Sequence, residues 1–289
     1  MFLGILFAIL VALFWASGEI EYSKLSKNLD RANVYFYQYL TRAIIYLMVV
    51  IIFEPSLILE FNFDNFFVFL PIILCDLFGS YVINIAVTNG KLSVVSPIMA
   101  AYPIVDLFLG LMILKEKIGI VELVLSVIIT ISIIFLASLQ KKTKKSPHPI
   151  KGIFFAIIYM LLVAISICFE KNAYTVNFSV YEFYFYKGFI YLFTSGLFMT
   201  IIGATPVKLK KPNLQILKGS GVTPIGNVLN SFALSFGSMV IVTPISSMYS
   251  VISNFLSRKV LKEKVSLKES ICISTILLST IALIIIGIV

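Results

Sequence analysis

The sequence predicts an all-α integral membrane protein in which ten transmembrane helices form two inverted five-helix repeats around a central cavity. Of its 289 residues, 60% are hydrophobic and 13% are charged, which leaves a soluble domain too few polar residues to cover its surface. The apolar residues are gathered into runs of the length that a helix needs to cross roughly 30 Å of hydrocarbon. In chain order, the runs cover residues 2–20, 33–53, 66–88, 93–113, 119–138, 151–170, 180–203, 218–236, 240–260 and 268–288.

The positive charges lie between these runs. The formal net charge is +9, a value that in a soluble protein would suggest nucleic acid as a partner. Nearly every lysine and arginine here falls in a loop between apolar runs, where it sets the orientation of the chain and contacts lipid headgroups. We therefore expect the lipid bilayer, and no nucleic acid, as the surrounding partner.

Side chains suited to metal binding or covalent chemistry are sparse. Cys75, Cys168 and Cys272 lie in apolar runs without metal-ligand spacing, so we expect buried free thiols. The single histidine, His148, lies in the basic segment 140–149. The sequence contains no metal motif and no phosphate-binding loop. It therefore predicts no catalytic residue, no metal, no cofactor and no enzymatic activity.

The two halves of the chain resemble each other. A shift of 147 residues superimposes, without a gap, Gly79 and Gly226, Gly90 and Gly237, Pro97 and Pro244, Tyr102 and Tyr249, and the segments Leu-Lys-Glu-Lys at 114–117 and 261–264. Matches of glycine, proline and charged residues at one fixed shift indicate an internal repeat. We predict a first five-helix repeat over residues 1–139 and a second over 150–289, joined by the basic linker 140–149.

Each repeat contains an odd number of spans, so two copies in tandem must lie in opposite orientations. Inverted repeats of this kind are typical of secondary transporters, in which the substrate site lies near the membrane midplane at the repeat interface and access alternates. A pore or an enzyme can have the same symmetry, but transport is its leading use.

Among the ionisable residues of the apolar runs we single out five, because an ionisable group at the bilayer centre costs about 2.5–3.5 kcal/mol to insert. The bases Arg42 and Lys187 are repeat mates at a shift of 145, and the acids are Glu19, Asp76 and Asp106. An ion pair inside the bundle explains any one of them as well as a functional site does. The whole set favours a functional site.

The spacing of polar residues points to one cavity. Asp76, Ser80 and Asn84 recur every four residues and form a stripe on one face of a helix. A polar stripe must face protein or a water-filled space, because lipid cannot satisfy its hydrogen bonds.

Two aromatic positions extend this pattern. Tyr102 shares a helix face with Asp106, and Trp15 lies four residues before Glu19. An aromatic ring beside a carboxylate suits a cationic or zwitterionic group, although helix packing explains a buried tryptophan equally well. The predicted substrate-binding residues are Trp15, Glu19, Arg42, Asp76, Asn84, Tyr102, Asp106, Lys187 and Tyr249.

These motifs resemble the EamA family of the drug/metabolite transporter superfamily. The resemblance rests on Trp15 and Gly18, the basic residues Arg42 and Lys187, the glycine of the third span, Ser96-Pro97 with its counterpart Thr243-Pro244, and the two Leu-Lys-Glu-Lys turns. Two motifs depart from the family pattern. Where the family usually has Trp-Gly, this chain has Trp15-Ala16, and where the family usually has Leu-Gly-Glu, this chain has Leu-Lys-Glu in both halves. The resemblance implies a ten-helix exporter or importer of amino acids, sugars, nucleotide-linked metabolites or drugs.

We therefore expect a secondary transporter, multi-pass in the cell (plasma) membrane, that moves a small-molecule substrate by alternating access. Charges of both signs favour a zwitterion such as an amino acid. An organic cation is the second candidate substrate, and a proton is the candidate coupling ion. A membrane-embedded accessory subunit and a lipid-modifying membrane enzyme are the alternatives. Substrate identity, direction, coupling ion and oligomeric state are left open.

The distribution of basic residues also predicts an orientation. Of the 23 lysines and arginines, 18 lie in the loops after the odd-numbered spans and 3 in the loops after the even-numbered spans. The positive-inside rule then puts the odd loops in the cytoplasm and both termini outside. Members of the resembled family usually have both termini in the cytoplasm. We favour the charge rule, because it acts on the insertion of this chain.

Overall fold

The computed structural model describes residues 1–28, 31–89, 98–139, 149–202, 214–252 and 267–288. Within these ranges the chain forms ten α-helices and a 3-10 turn at Pro55–Ile58, and it contains no strand. The helices are α1 Phe2–Asn28, α2 Arg31–Phe53, α3 Phe63–Asn89, α4 Tyr102–Met112, α5 Ile120–Ser138, α6 Pro149–Thr175, α7 Val180–Ile202, α8 Leu214–Phe236, α9 Met239–Ser247 and α10 Leu267–Ile288. The described part of each predicted span is mainly helical, so the all-α fold is confirmed for the described ranges.

Three helical segments are by length and composition able to cross a membrane: Asn33–Phe53, Phe63–Ile83 and Ile150–Thr175. Five shorter apolar helices lie at Phe2–Gly18, Tyr102–Met112, Ile120–Phe135, Met239–Ile252 and Ser270–Leu283. Of the helices described above, α7 and α8 fall in neither class. Both contribute polar side chains to the cavity described below.

Two predicted spans, 93–113 and 240–260, are not continuous helices. A tight turn at Ala101 precedes α4, and a tight turn at Met248 ends α9. The shift of 147 residues places Ala101 on Met248, so the two repeats are interrupted at equivalent points. Pro103 accounts for the first interruption, because proline has no N–H with which to continue the hydrogen bonding of the preceding turn.

The most extensive helix packing joins the two repeats. α1 packs on α8, α2 on α7, α3 on α6 and α5 on α10. Since α6 is the repeat mate of α1 and α3 is the mate of α8, exchanging the repeats converts the α1–α8 contact into the α6–α3 contact. This exchange is what two units related by a two-fold axis would produce.

Glycines bring α1 and α8 close together. A Cβ added at Gly4 would lie 2.8 Å from the Cα of Gly237, and one added at Gly226 would lie 2.5 Å from Cδ1 of Trp15. Neither position has room for a side chain, as is typical of close helix contacts in membranes. Gly79, the repeat mate of Gly226, differs, because its nearest neighbour would be 3.8 Å away.

Candidate functional site

A cavity of about 240 Å³ lies between the two repeats. Its wall is formed by α1, α2, α3, α4, α6, α7 and α8, together with Tyr249, which follows the turn after α9. The charged and polar residues that line it are Gln38, Arg42, Asp76, Ser80, Ser166, Glu170, Lys187, Thr223, Asn227, Asn230 and Ser231. The aromatic residues are Trp15, Tyr102, Tyr159, Tyr184 and Tyr249.

Asp76 of α3 and Lys187 of α7 form an ion pair in the cavity wall. Lys187 Nζ lies 3.0 Å from Asp76 Oδ2, and the Tyr191 hydroxyl donates to the same oxygen at 2.6 Å. The Lys187 ammonium also lies over the Phe183 ring, 4.7 Å from its centroid, a cation–π arrangement. The Lys187 side chain is 5% exposed and that of Asp76 is 26% exposed, so the carboxylate is the more accessible member of the pair.

Arg42 of α2 has no carboxylate within ion-pair distance among the described residues. Its guanidinium donates to the Ser80 hydroxyl at 2.9 Å and lies over the Tyr191 ring, 5.8 Å from the centroid. A guanidinium carries five N–H donors in a planar fork. Arg42 therefore has donors available for an anionic group in the cavity.

Glu170 of α6 is a buried acid in the same wall. Its carboxylate accepts hydrogen bonds from the Tyr174 hydroxyl at 2.8 Å and from the Ser231 hydroxyl. Ser231 Oγ lies 2.7 Å from the Tyr184 hydroxyl. All these partners are neutral, and within the described ranges no base forms an ion pair with Glu170.

Trp15 of α1 is held by polar and aromatic neighbours. Its indole N–H donates to Asn227 Oδ1 at 2.9 Å, and the Asn227 amide donates to the Tyr46 hydroxyl at 2.8 Å. The Tyr249 ring meets the indole edge to face, 5.7 Å between centroids. These contacts fix the indole at the cavity wall.

Asp106 of α4 is fully buried and does not line the cavity. The Thr243 hydroxyl faces its carboxyl group. Both carboxyl oxygens, Thr243 Oγ1 and the Tyr102 hydroxyl nevertheless have no hydrogen-bond partner within ordinary distance in the part of the chain that the structure describes.

Of the nine predicted site residues, the structure brings six together around the cavity: Trp15, Arg42, Asp76, Tyr102, Lys187 and Tyr249. Asp106 lies behind the wall, so its predicted place in the cavity lining is wrong. Its spacing from Tyr102 is right for one helix face, but α4 turns Asp106 towards α9. The side chains of Glu19 and Asn84 lie outside the described residues. The binding roles of the eight residues other than Asp106 stay predictions.

The sequence reasoning missed Glu170. It placed the end of the sixth span at this residue, whereas α6 continues to Thr175. The additional turn puts Glu170 inside the bundle. The repeat did provide a signal for α8, since the mates of the α3 stripe include Thr223, Asn227 and Ser231, and all three line the cavity.

The first Leu-Lys-Glu-Lys turn caps a helix of the other repeat. Glu116 accepts hydrogen bonds from the Ser238 hydroxyl at 2.6 Å and from the N–H groups of Met239 at 2.8 Å and Val240 at 3.2 Å. A carboxylate is favourable there, because the first N–H groups of a helix have no intrahelical partner and carry partial positive charge.

Lys171 completes the same junction. Its ammonium donates to the carbonyls of Leu234 at 2.6 Å and Gly237 at 2.8 Å, at the end of α8. Opposite charges thus hold the two sides of the α8–α9 turn. We call Glu116, Lys171 and the turn at residues 237–238 the clamp, and the side of the bundle that contains it and Gly4 the termini side.

A family model described as the EamA-like transporter family matches the chain twice, over residues 2–138 and 150–285. No curated protein matches the chain. Among solved structures, 27 chains match. One of them, titled only as the crystal structure of a protein, is 11% identical and has a TM-score of 0.76, covering 96% of this chain and 94% of its own length. At this identity the likeness concerns the fold alone.

Proposed function

The chain belongs to the EamA-like transporter family, whose members are multi-pass membrane transporters, and from that premise we propose that it is a secondary transporter of a small zwitterionic metabolite such as an amino acid. The substrate binds in the cavity between the repeats and crosses the membrane by alternating access. The observation that carries this proposal is the charge balance of the cavity.

Among the described lining residues the formal charges cancel. Arg42 and Lys187 contribute two positive charges, and Asp76 and Glu170 contribute two negative charges. A site for an organic cation is expected to carry net negative charge, and a site for an anion net positive charge, because like charges repel the ligand. A balanced cavity with separate acidic and basic groups complements a zwitterion.

The two ends of the substrate are assigned to the two charges that lack an ion-pair partner. Arg42 is proposed to bind the carboxylate, since a guanidinium matches the two oxygens of a carboxylate in a bidentate pair. Glu170 is proposed to bind the ammonium group, with the Trp15 face as a second attraction. The cavity volume of about 240 Å³ is below the roughly 300–1,000 Å³ typical of drug-sized ligands, which favours a small metabolite.

Uptake by the purified protein alone in liposomes tests this proposal. We would compare each of the common amino acids with its methyl ester, which is a cation, and its N-acetyl derivative, which is an anion. At least one free amino acid should be taken up, with both derivatives about tenfold or more weaker, as expected for loss of one charged contact. Preferred uptake of the esters would support an organic cation. No uptake of any compound would favour the accessory subunit or the enzyme.

Alternating access requires one side of the cavity to be closed. The clamp supports closure of the termini side, where α9 is buried along its whole length. Glu116 and Gly237 have the repeat mates Glu263 and Gly90 at the shift of 147, which lie outside the described residues.

Replacing Glu116 with alanine should open the termini side more often. Losing hydrogen bonds to a charged group is worth about 1.5–3 kcal/mol, so the open population should rise roughly tenfold or more. A cysteine at Ala12, which is 3% exposed in α1, should then react correspondingly faster with a small thiol reagent. The native cysteines are first replaced by serine.

Glu60→Ala provides the matched control, because Glu60 is exposed in the connection between α2 and α3. An unchanged labelling rate at Ala12 in the Glu116 variant, with normal folded yield, would contradict a gating role for the clamp.

We propose the plasma membrane as the location, with both termini outside. Leu59 is 90% exposed beside the 3-10 turn, so a cysteine there should react with a membrane-impermeant maleimide in intact cells. A cysteine at Ser146 should react only after permeabilisation. The reverse pattern would give the orientation usual for the family.

A further inference from the structure

Asp106 is a buried carboxyl group with no donor within hydrogen-bond distance among the described residues. It is 0% exposed, and its neighbours Thr243 and Tyr102 are 1% and 3% exposed. In the described part of the chain, the polar atoms of all three side chains have no partner within hydrogen-bond distance. An ionised carboxylate that is fully buried and has no donor within hydrogen-bond distance is poorly stabilised, so burial favours its neutral form.

The groups around Asp106 favour the neutral form as well. The charged and titratable groups that face it are Tyr102 of its own helix, Cys168 of α6 and Glu116 of the clamp. None of them is a base. Glu116 is an acid, and two like charges close together cannot both ionise at low cost.

The other two described acids of the bundle centre differ from Asp106. Asp76 is paired with Lys187, and Glu170 accepts hydrogen bonds from two hydroxyls. The ion pair stabilises the Asp76 carboxylate, and Glu170 has the hydrogen-bond donors that Asp106 lacks among the described residues. Glu19 has no described side chain.

We infer that Asp106 carries the coupling proton of the transport cycle. In the arrangement described here its carboxyl O–H bond is intact. When α4 moves relative to α9, the O–H bond breaks, the proton passes to water in the cavity, and the carboxylate remains. Reprotonation from water in the opposite state completes the cycle, so no other reactant is needed. This inference rests on the proposed transport function.

The position of Asp106 supports this route. Tyr102 lies one turn before Asp106 on α4 and lines the cavity. A small movement of this helix face would therefore connect the Asp106 carboxyl group with the cavity. The turn at Ala101, immediately before α4, is a break at which such a movement can occur. On the other side, the Glu116 carboxylate acts on Asp106 electrostatically, which links the charge of Asp106 to the clamp.

Asp106→Asn, which imitates the neutral form, is the main test. With a tenfold proton gradient across the liposome membrane, the wild-type protein should accumulate its substrate up to about tenfold for one proton per cycle. The variant should lose this accumulation but retain substrate exchange without a gradient, within about twofold. Thr243→Val, which keeps the carboxyl group, should retain both.

Several outcomes would overturn the inference: full accumulation by the variant, no response of the wild-type protein to the gradient, or equal loss of exchange and accumulation. A separate readout does not depend on transport. Infrared spectra of the purified wild-type protein should contain the carbonyl band of a protonated carboxylic acid that Asp106→Asn lacks. If that band is found but no compound is transported, the proposed function fails while the protonated state of Asp106 stands. If the band is missing from the wild-type spectrum, the assignment of the proton to Asp106 fails.

Discussion

Replacing Arg42 with alanine is expected to weaken binding of a zwitterionic substrate roughly 10- to 150-fold, corresponding to a loss of about 1.5–3 kcal/mol from a hydrogen bond to a charged group. Arg42 carries the one described guanidinium at the cavity wall, and its contacts to Ser80 and Tyr191 are to neutral groups. Its removal therefore leaves no buried acid without a partner, and the loss should concern binding rather than folding. Substrate affinity of the purified protein measures it.

Two comparisons make this prediction specific. Arg42→Lys keeps the charge but not the planar fork, so it should give an intermediate affinity. The amine that lacks the substrate carboxylate should bind the wild-type protein and Arg42→Ala equally, because the two changes remove the same contact. An equal loss of affinity for the amine and for the zwitterion would show that Arg42 shapes the cavity without contacting the carboxylate.

Replacing Asp76 with asparagine is expected to destabilise the fold by about 3–5 kcal/mol, the usual cost of breaking a buried ion pair by removing one partner. The change leaves the Lys187 ammonium buried among aromatic rings without its carboxylate. Because the Asp76 side chain is 26% exposed, the lower end of that range is expected. The midpoint of thermal unfolding in detergent should fall clearly.

The second substitution Lys187→Met should restore the midpoint in the double variant, since no charge then lacks a partner. Neither variant should transport normally, because both lose charges of the cavity wall. Asp64→Asn, on an exposed position of the same helix, is the control and should unfold like the wild-type protein. If Asp76→Asn unfolds like the control, the pair contributes nothing to stability, and the double variant becomes uninformative about charge compensation.

The sequence was sufficient for the fold because its signals are local. Apolar runs of spanning length predicted each helix that the structure describes, and the family resemblance is confirmed by the family match. The ends of the helices were less predictable. Glu170 was missed because a polar residue near the end of an apolar run is usually a boundary, whereas α6 extends one turn further.

The sequence also did not show which side of each helix packs against which neighbouring helix. The depth and repeat relation of Asp76 and Lys187 suggested one site, but their ion pair depends on the packing of α3 and α7. Asp106 has the spacing of a cavity residue, yet α4 begins after a break and presents it to α9. The role of Glu116 needed the structure most, because it caps a helix that begins more than a hundred positions later in the chain.

Packing between the repeats has a consequence for synthesis of the protein. α1 is made first, but its main partner α8 begins at Leu214. At about 5–20 residues per second, α1 waits roughly 10–40 s in the membrane before α8 exists. During that time the two glycine contacts of α1 are unmade, and Arg42 has been inserted without the Tyr191 ring. Because the most extensive packing of each half is with the other half, we expect a chain that ends at the linker to be degraded, whereas the two halves produced together in one cell should assemble.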